Sequence, residues 1–278
     1  MNAAPARPGA EPLFLASARG PLFAVYHAPA LPARAALLYV HPFGDEMNRS
    51  RRMAALAARR LADDGVAVLQ LDLHGCGDSA GEFADARWDV WLDDLALGCA
   101  WLRERSSQAP GLWGLRLGAL LALDFVRRAA TPPPRLLLWH PVTSGAAYLA
   151  QLLRLRSAGE MLRDGSARGA QALRAALLGG EALEVGGYLL APQLAAAIDA
   201  LDAGAMTPPA PVDWFAVGPG ERPLSPAAAR VGAAWREAGA AVALRAVRGP
   251  AFWDSQEIVD CPALLDATAA ALRENVHA

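Results

Sequence analysis

What most constrains this chain is a repeated passage from a continuous apolar run, through a short turn, into an amphipathic helical pattern. "RAALLYVHPFG" is followed by "RSRRMAALAARRLADDG", which has helical spacing and a plausible stop at Gly65, and "VAVLQLDLHG" is followed by "WDVWLDDLALGCAWLRER". "PVDWFAVGPGE" and "AVALRAVRG" lead in the same way into "PAAARVGAAWREAG" and "CPALLDATAAALREN", and "PRLLLWHPV" adds a further run. Strands apolar on both faces need cover on both faces, and intervening helices supply both that cover and the crossovers of a parallel sheet. The expected class is α/β: a mostly parallel sheet flanked by helices, with "PLFAVYHAP" as an early strand paired antiparallel near one edge. The hydrophobic content of 54% is enough for a deep core. Residues 145–205 break the pattern. Their Leu/Ala/Arg helical stretches, interrupted at Gly179-Gly180 and Gly186-Gly187, carry no strand character, so an inserted helical cap is expected there, with the core formed by 1–144 and 206–278.

Several function classes are excluded early. A net charge of −2 gives no bulk attraction to nucleic acid. The N-terminal stretch has no secretory apolar run, and Arg116 and Asp124 interrupt the longest apolar segment well short of the ~20 residues a membrane span needs. Cys76, Cys99 and Cys261 lack metal-site spacing, which predicts reduced thiols, a cytoplasmic protein, and neither metal nor other cofactor. The sequence contains no lysine, and this removes Schiff-base, Ser–Lys and P-loop mechanisms.

The segment "LWGLRLGALLALDF", residues 112–125, has the outline of a nucleophile elbow: an apolar strand, Gly-x-x-x-Gly, then an apolar helix. Gly114 and Gly118 suit a turn that leaves little room for Cβ atoms. The residue at its centre is Arg116. With "HPFG" after one strand and "DLHGCGDSAGEF" after the next, this order of motifs resembles the α/β-hydrolase fold over nearly the whole chain. "WGLRLGALLA" in that setting is most similar to the exosortase A system-associated hydrolases of the second-hydrolase type. The resemblance implies a cytoplasmic bacterial protein linked to exopolysaccharide or sorting functions, acting on a small-molecule substrate, with a possible protein partner in the envelope-polysaccharide machinery. It also implies that the "HPFG" loop supplies one oxyanion-hole N–H, which makes His41, Phe43, Asp45, Glu46 and, after the elbow, Leu117 candidate ligand-binding positions.

Against the family's triad, the nucleophile position holds Arg116, and the acid position after the next-to-last strand suits Glu221 better than Asp213. Where the base belongs, "RGPAFWDS" offers Ala251, Phe252 and Trp253 but no histidine, and His277 stands near the C-terminus. The remaining candidates are His140, as a displaced base or as a hydrogen-bonded histidine under the cap with Ser144 nearby, and Asp254. His41, His74 and Ser79 read mainly as loop organisers and Cys76 as an ordinary thiol, while Trp88, Trp91, Phe252 and Trp253 are candidates for a cavity rim. An arginine at a helix N-terminus makes an already anion-favouring place more cationic. Either a carboxylate such as Glu46, Glu221 or Asp254 neutralises it, or an anionic ligand does. Two functions therefore stand: a hydrolase or acyl-transferase with a non-standard constellation of Arg116, His140 and Glu221, or a non-catalytic protein that binds an anion or a partner.

Overall fold

The structure, a computed structural model, describes residues 9–164, 168–220 and 224–274. An edge hairpin of β1 (Ala10–Ser17) and β2 (Gly20–His27) opens the chain, followed by β3 (Ala35–Val40), α1 (Asp45–Asp63), β4 (Val66–Leu71) and α2 (Trp88–Ser106). Next come β5 (Pro110–Leu115), α3 (Leu117–Arg128) and β6 (Leu136–Trp139). The inserted segment holds α4 (Gly145–Asp164), α5 (Ala170–Leu178), β7 (Leu183–Val185), β8 (Tyr188–Leu190) and α6 (Pro192–Asp199). The chain then returns to β9 (Val212–Gly218), α7 (Pro226–Glu237), β10 (Val242–Arg248) and α8 (Pro262–Glu274).

Eight strands form one sheet in the order β1-β2-β4-β3-β5-β6-β9-β10. β2 runs antiparallel to both β1 and β4, and every pairing from β4 to β10 is parallel. The two-residue period of a strand divides its side chains between the faces. Leu38 and Val40 of β3 join a core with α2, α3 and α7, whereas Leu37 and Tyr39 join a second core with α1 and α8. Trp113 and Trp139 lie edge to face in that second layer, 4.6 Å between centroids, and the Trp139 indole N–H donates to Thr268 Oγ1 at 3.0 Å. The parallel strands thus aim their carboxyl ends, and the loops that follow them, at one edge of the sheet.

Three features depart from the sequence expectations. The segment 145–205 is not purely helical: β7 and β8 pair as a hairpin across Gly186-Gly187, whose φ values of 59° and 84° form the two-residue turn that glycine pairs favour. Strands of three residues are too short to show alternation in the sequence. The sheet also gains β1, which lies outside "PLFAVYHAP" and forms its true edge. All four aromatics assigned to a rim, Trp88, Trp91, Phe252 and Trp253, are buried in the cores. Their indole groups explain why for the first two: Trp88 donates to Asp124 and Trp91 to the carbonyl of His74, both at 3.0 Å.

The helix that follows the elbow packs tightly on β3. A Cβ on Gly118 would collide with the carbonyl oxygens of Val40 and His41, which are backbone atoms unable to yield, whereas nothing lies within reach of a Cβ on Gly159 in α4. Gly118→Ala should therefore destabilise the protein by about 1–3 kcal/mol or more. Gly159→Ala should stabilise it by up to about 1 kcal/mol through helix propensity. Urea midpoints of the two variants check both signs.

Candidate functional site

Arg116 occupies the single-residue bend between β5 and α3, with φ 54° and ψ −118°. This conformation is strained for a side chain larger than glycine and persists only where its surroundings fix it. Here they do. The Arg116 N–H donates to Trp139 O at 3.1 Å, its carbonyl accepts from Val142 N–H at 3.2 Å, and Gly114 and Gly118 leave no space for any other residue on either side. The bend lifts the arginine side chain off the sheet edge and toward the inserted segment.

The guanidinium is held on three sides. Its Nε–H donates to Glu46 Oε1 at 3.2 Å, and the Tyr148 hydroxyl donates to the other oxygen of Glu46 at 3.3 Å. The Trp253 and Tyr148 rings lie 5.5 and 5.8 Å from the guanidinium carbon, within cation–π range. Glu46 is the second residue of α1, where the helix dipole favours negative charge. Burial nevertheless pushes its carboxyl above the ordinary range, more than the adjacent Arg116 pulls it down, and Asp254 adds a further upward push. The two terminal nitrogens of Arg116 have no protein partner among the described residues, which leaves four of its five N–H groups free.

His140 follows β6 at φ 42° and stands beside the arginine. Its Nδ1 accepts the Val217 N–H at 3.1 Å, and its ring faces Trp253 at 4.7 Å between centroids. An Nδ1 that accepts leaves the proton on Nε2. Burial, reinforced by the Arg116 charge, lowers the imidazole pKa to about 4. The ring is therefore a neutral hydrogen-bond donor at physiological pH.

Arg116 and Tyr148 stand on the wall between two cavities. The larger, of about 1160 Å³, also has His140 and the start of the β9–α7 connection in its lining. The smaller, of about 540 Å³, lies between the "HPFG" loop and the inserted segment and is lined by Phe43, Asp45, Glu46, Trp253 and Asp254 among others. The structure thus brings together Arg116, His140, Phe43, Asp45, Glu46 and Asp254. His41 does not join them: its Nδ1–H donates to Pro42 O at 2.7 Å and its Nε2 accepts from Leu73 N–H at 3.1 Å, so it ties two loops together. The Leu117 side chain is buried in the core, and only its backbone N–H, at the first helical position, lacks an acceptor within its own helix. Glu221 lies outside the described residues, as does His277. Ser144 Oγ accepts the Ala147 N–H at the start of α4, and Ser79 links Asp72 to Phe23. Tyr148 escaped the sequence reading altogether, because one aromatic in a Leu/Ala-rich helix carries no local signal.

Among the described residues, no group of three or more His, Cys, Asp or Glu side chains is arranged to hold a metal ion. No helix among them is long and apolar enough to cross a membrane.

Residues 32–172, just over half of the chain, match the family described as serine aminopeptidase, S33, and the chain belongs to that family within the α/β-hydrolases. No curated protein matches its sequence. Among solved structures it is similar to Est1E from Butyrivibrio proteoclasticus with bound ferulic acid, at 16% identity and a TM-score of 0.71 over 96% of this chain and 100% of that one. A thermostable carboxyl esterase from Bacillus coagulans in complex with glycerol matches at 13% identity and a TM-score of 0.65, over 95% and 98% of the two chains. XC6422 from Xanthomonas campestris, an α/β serine hydrolase without a lid, matches at 17% identity and 0.55, over 96% and 94%. At such identities the likeness establishes the α/β-hydrolase fold and nothing finer.

The state of His140 has a measurable consequence. Its pKa is about 4 in the folded protein and 6.5 in an unperturbed chain, so the unfolded state binds the extra proton between those values. Its contribution to stability is complete above pH ~6.5 and is lost as pH falls toward 4, by up to about 3 kcal/mol. His140→Asn keeps an acceptor for Val217 and tolerates positive φ. It should flatten the dependence of unfolding free energy on pH in that window relative to wild type, while nitrogen NMR of the wild-type ring should show the neutral Nε2–H form at pH 6.

Proposed function

We propose that this chain is a hydrolase-fold protein that binds an anionic small molecule at Arg116 and does not carry out serine-type acyl transfer. One observation carries the reading. At the bend where this fold presents its nucleophile stands an arginine, oriented by Glu46, Tyr148 and Trp253, with four N–H groups left for a ligand. A guanidinium is no nucleophile, and its planar fork matches carboxylate or phosphate. Two further donors lie close in the fold, the Nε2–H of His140 and the N–H of Leu117 at the N-terminus of α3. His140 does not replace the missing base: Nδ1 is engaged, and the second nitrogen already holds a proton.

The motif resemblance supports a setting in the exosortase and exopolysaccharide machinery of a bacterium, where the ligand is a metabolite or a carrier group and a protein partner is a further possibility. The free thiols of Cys76, Cys99 and Cys261 suit a reducing, cytoplasmic compartment. A second reading, a hydrolase or acyl-transferase that activates water, draws on one observation. Glu46 is a carboxyl raised by burial beside a cation, as a general base requires.

Both readings are tested together. Purified protein should turn over simple esters and thioesters no faster than buffer, and inorganic phosphate or carboxylates should raise its Tm. Because Arg116→Ala alone strands Glu46 in a poorly solvated place, it should cost about 3 kcal/mol at pH 8 and less at pH 5, where Glu46 can take a proton. The double variant Arg116→Gln/Glu46→Gln leaves no lone charge and should fold, yet lose the anion-dependent rise in Tm. Turnover that disappears in Glu46→Gln would establish the second reading instead.

A further inference from the structure

The larger cavity carries an unusual charge distribution for a protein of net charge −2. Among its described lining residues are Arg116, Arg154 and Arg248, and no aspartate or glutamate. The smaller cavity, on the other side of the Arg116–Glu46 pair, has Asp45, Glu46, Glu160, Glu184 and Asp254 in its lining together with Arg49, Arg116 and Arg156. Among the described residues the larger cavity is thus the more cationic of the two, and an anion in it meets Arg116 beside no described carboxylate of that lining.

Arg154 and Arg248 differ from their neighbours in the chain. Arg156, two residues along α4, is paired with Glu160 at 2.7 Å, and Arg245, on the same strand as Arg248, is paired with Glu274 at 2.8 Å and lies 3.6 Å from Asp213. Arg154 and Arg248 have neither ion pair nor hydrogen bond among the described residues. Both are exposed, one on α4 and one at the end of β10, whereas Arg116 is largely buried. Between the inner arginine and this outer pair the walls are mainly apolar, including Val142, Leu224 and Val247. A volume of about 1160 Å³ exceeds what a single small anion needs and suits an extended ligand.

We infer that the larger cavity takes a bis-anionic ligand, with one carboxylate or phosphate at Arg116 and His140, an apolar or neutral spacer along the walls, and a second anionic group at Arg154 and Arg248. This rests on the anion-binding reading of Arg116 and adds to it the class of ligand. The outer pair acts on affinity and selectivity: two unpaired guanidiniums at a cavity mouth attract a second charge, and they reject a chain that ends in an ammonium group.

The test uses the whole protein and isothermal titration calorimetry with linear α,ω-dicarboxylates of increasing length, the monocarboxylates of matching length, and ω-carboxyalkyl phosphates. Above a threshold length the dicarboxylates should bind at least tenfold more tightly than their monocarboxylate counterparts. Arg154→Gln and Arg248→Gln break no hydrogen bond or ion pair among the described residues and should leave the Tm of the free protein unchanged, while reducing the dicarboxylate to monocarboxylate affinity and leaving the monocarboxylate unaffected. Comparison with the carboxyalkyl phosphates tells whether the inner site prefers phosphate. Equal affinity for mono- and bis-anions at every length, or no loss in either outer variant, would overturn the bis-anionic inference while the anion site at Arg116 stood. Absence of binding by every member of the series would bring down both.

Discussion

The pair of Arg116 and Glu46 is the contact on which the rest of this site depends, because it is where separate parts of the fold meet. Arg116 comes from the bend after β5, Glu46 from the first turn of α1, Tyr148 from α4 and Trp253 from the loop after β10, and His140 packs against Trp253. Burying one of these charges alone is expensive, and burying both is tolerable only when the remaining donors and acceptors are met. Glu46 is met by two donors. Arg116 is met on one edge and on the faces of two rings, and the other edge is open to the cavities. The structure stabilises the cation without saturating it, unlike the ion pair of Arg135 with Asp213, where the carboxylate is also approached by a second arginine, Arg245.

The electrostatic consequence extends beyond the pair. Inside a partly buried region of low effective dielectric, burial and a single cation act together on every neighbour. Burial lowers the His140 imidazole, with Arg116 adding to it; burial raises Glu46, which Arg116 partly offsets; and burial raises the Tyr148 phenol, with Glu46 adding to it. The result is a set of groups with fixed protonation: a neutral histidine that donates, a phenol that keeps its proton, and an arginine that is always charged. Of this set, Arg116 and His140 line the larger cavity as donors, and donors select acceptors. Acid–base exchange, by contrast, needs a group that titrates near the working pH, and among these only Glu46 is displaced in that direction.

The features that repeat with a period were legible in the sequence. Parallel strands were visible as uninterrupted apolar runs because both faces of the sheet are covered, and the elbow was visible because two glycines four residues apart are needed where α3 nearly touches β3. Carboxylates within a few residues of the oxyanion-type loop were visible too, and Glu46 was among those named as a partner for Arg116. What stayed hidden depends on distance rather than pattern. Tyr148 reaches Glu46 across 102 positions in the chain, and Arg154 on α4 and Arg248 at the end of β10 line one cavity though nothing in the sequence links them. The β7–β8 hairpin was hidden for a different reason: its strands are shorter than the alternation that would announce them.

The strained bend gives the last step. A backbone at φ 54° and ψ −118° costs of order 1–3 kcal/mol for a residue with a side chain, and a surface position would relax it. In this fold the strain serves to push one side chain above the sheet edge into a cavity, whatever that side chain is. With a short hydroxyl there, the reacting atom stands directly over the N-terminus of α3. With arginine the functional group is carried several bonds further out, so the place where a nucleophile would act is filled by the stem of the side chain itself. The charged group then stands further out, at the level of Tyr148, Trp253 and His140, with the α3 N-terminus and its Leu117 N–H beneath it. Replacing Arg116 by serine would reopen the inner space but supply no base, since His140 keeps its lone pair on Val217 and the loop after β10 offers Trp253 instead. The site is therefore shaped by the length and charge of this arginine, and both favour the anion-binding proposal over acyl transfer at this position.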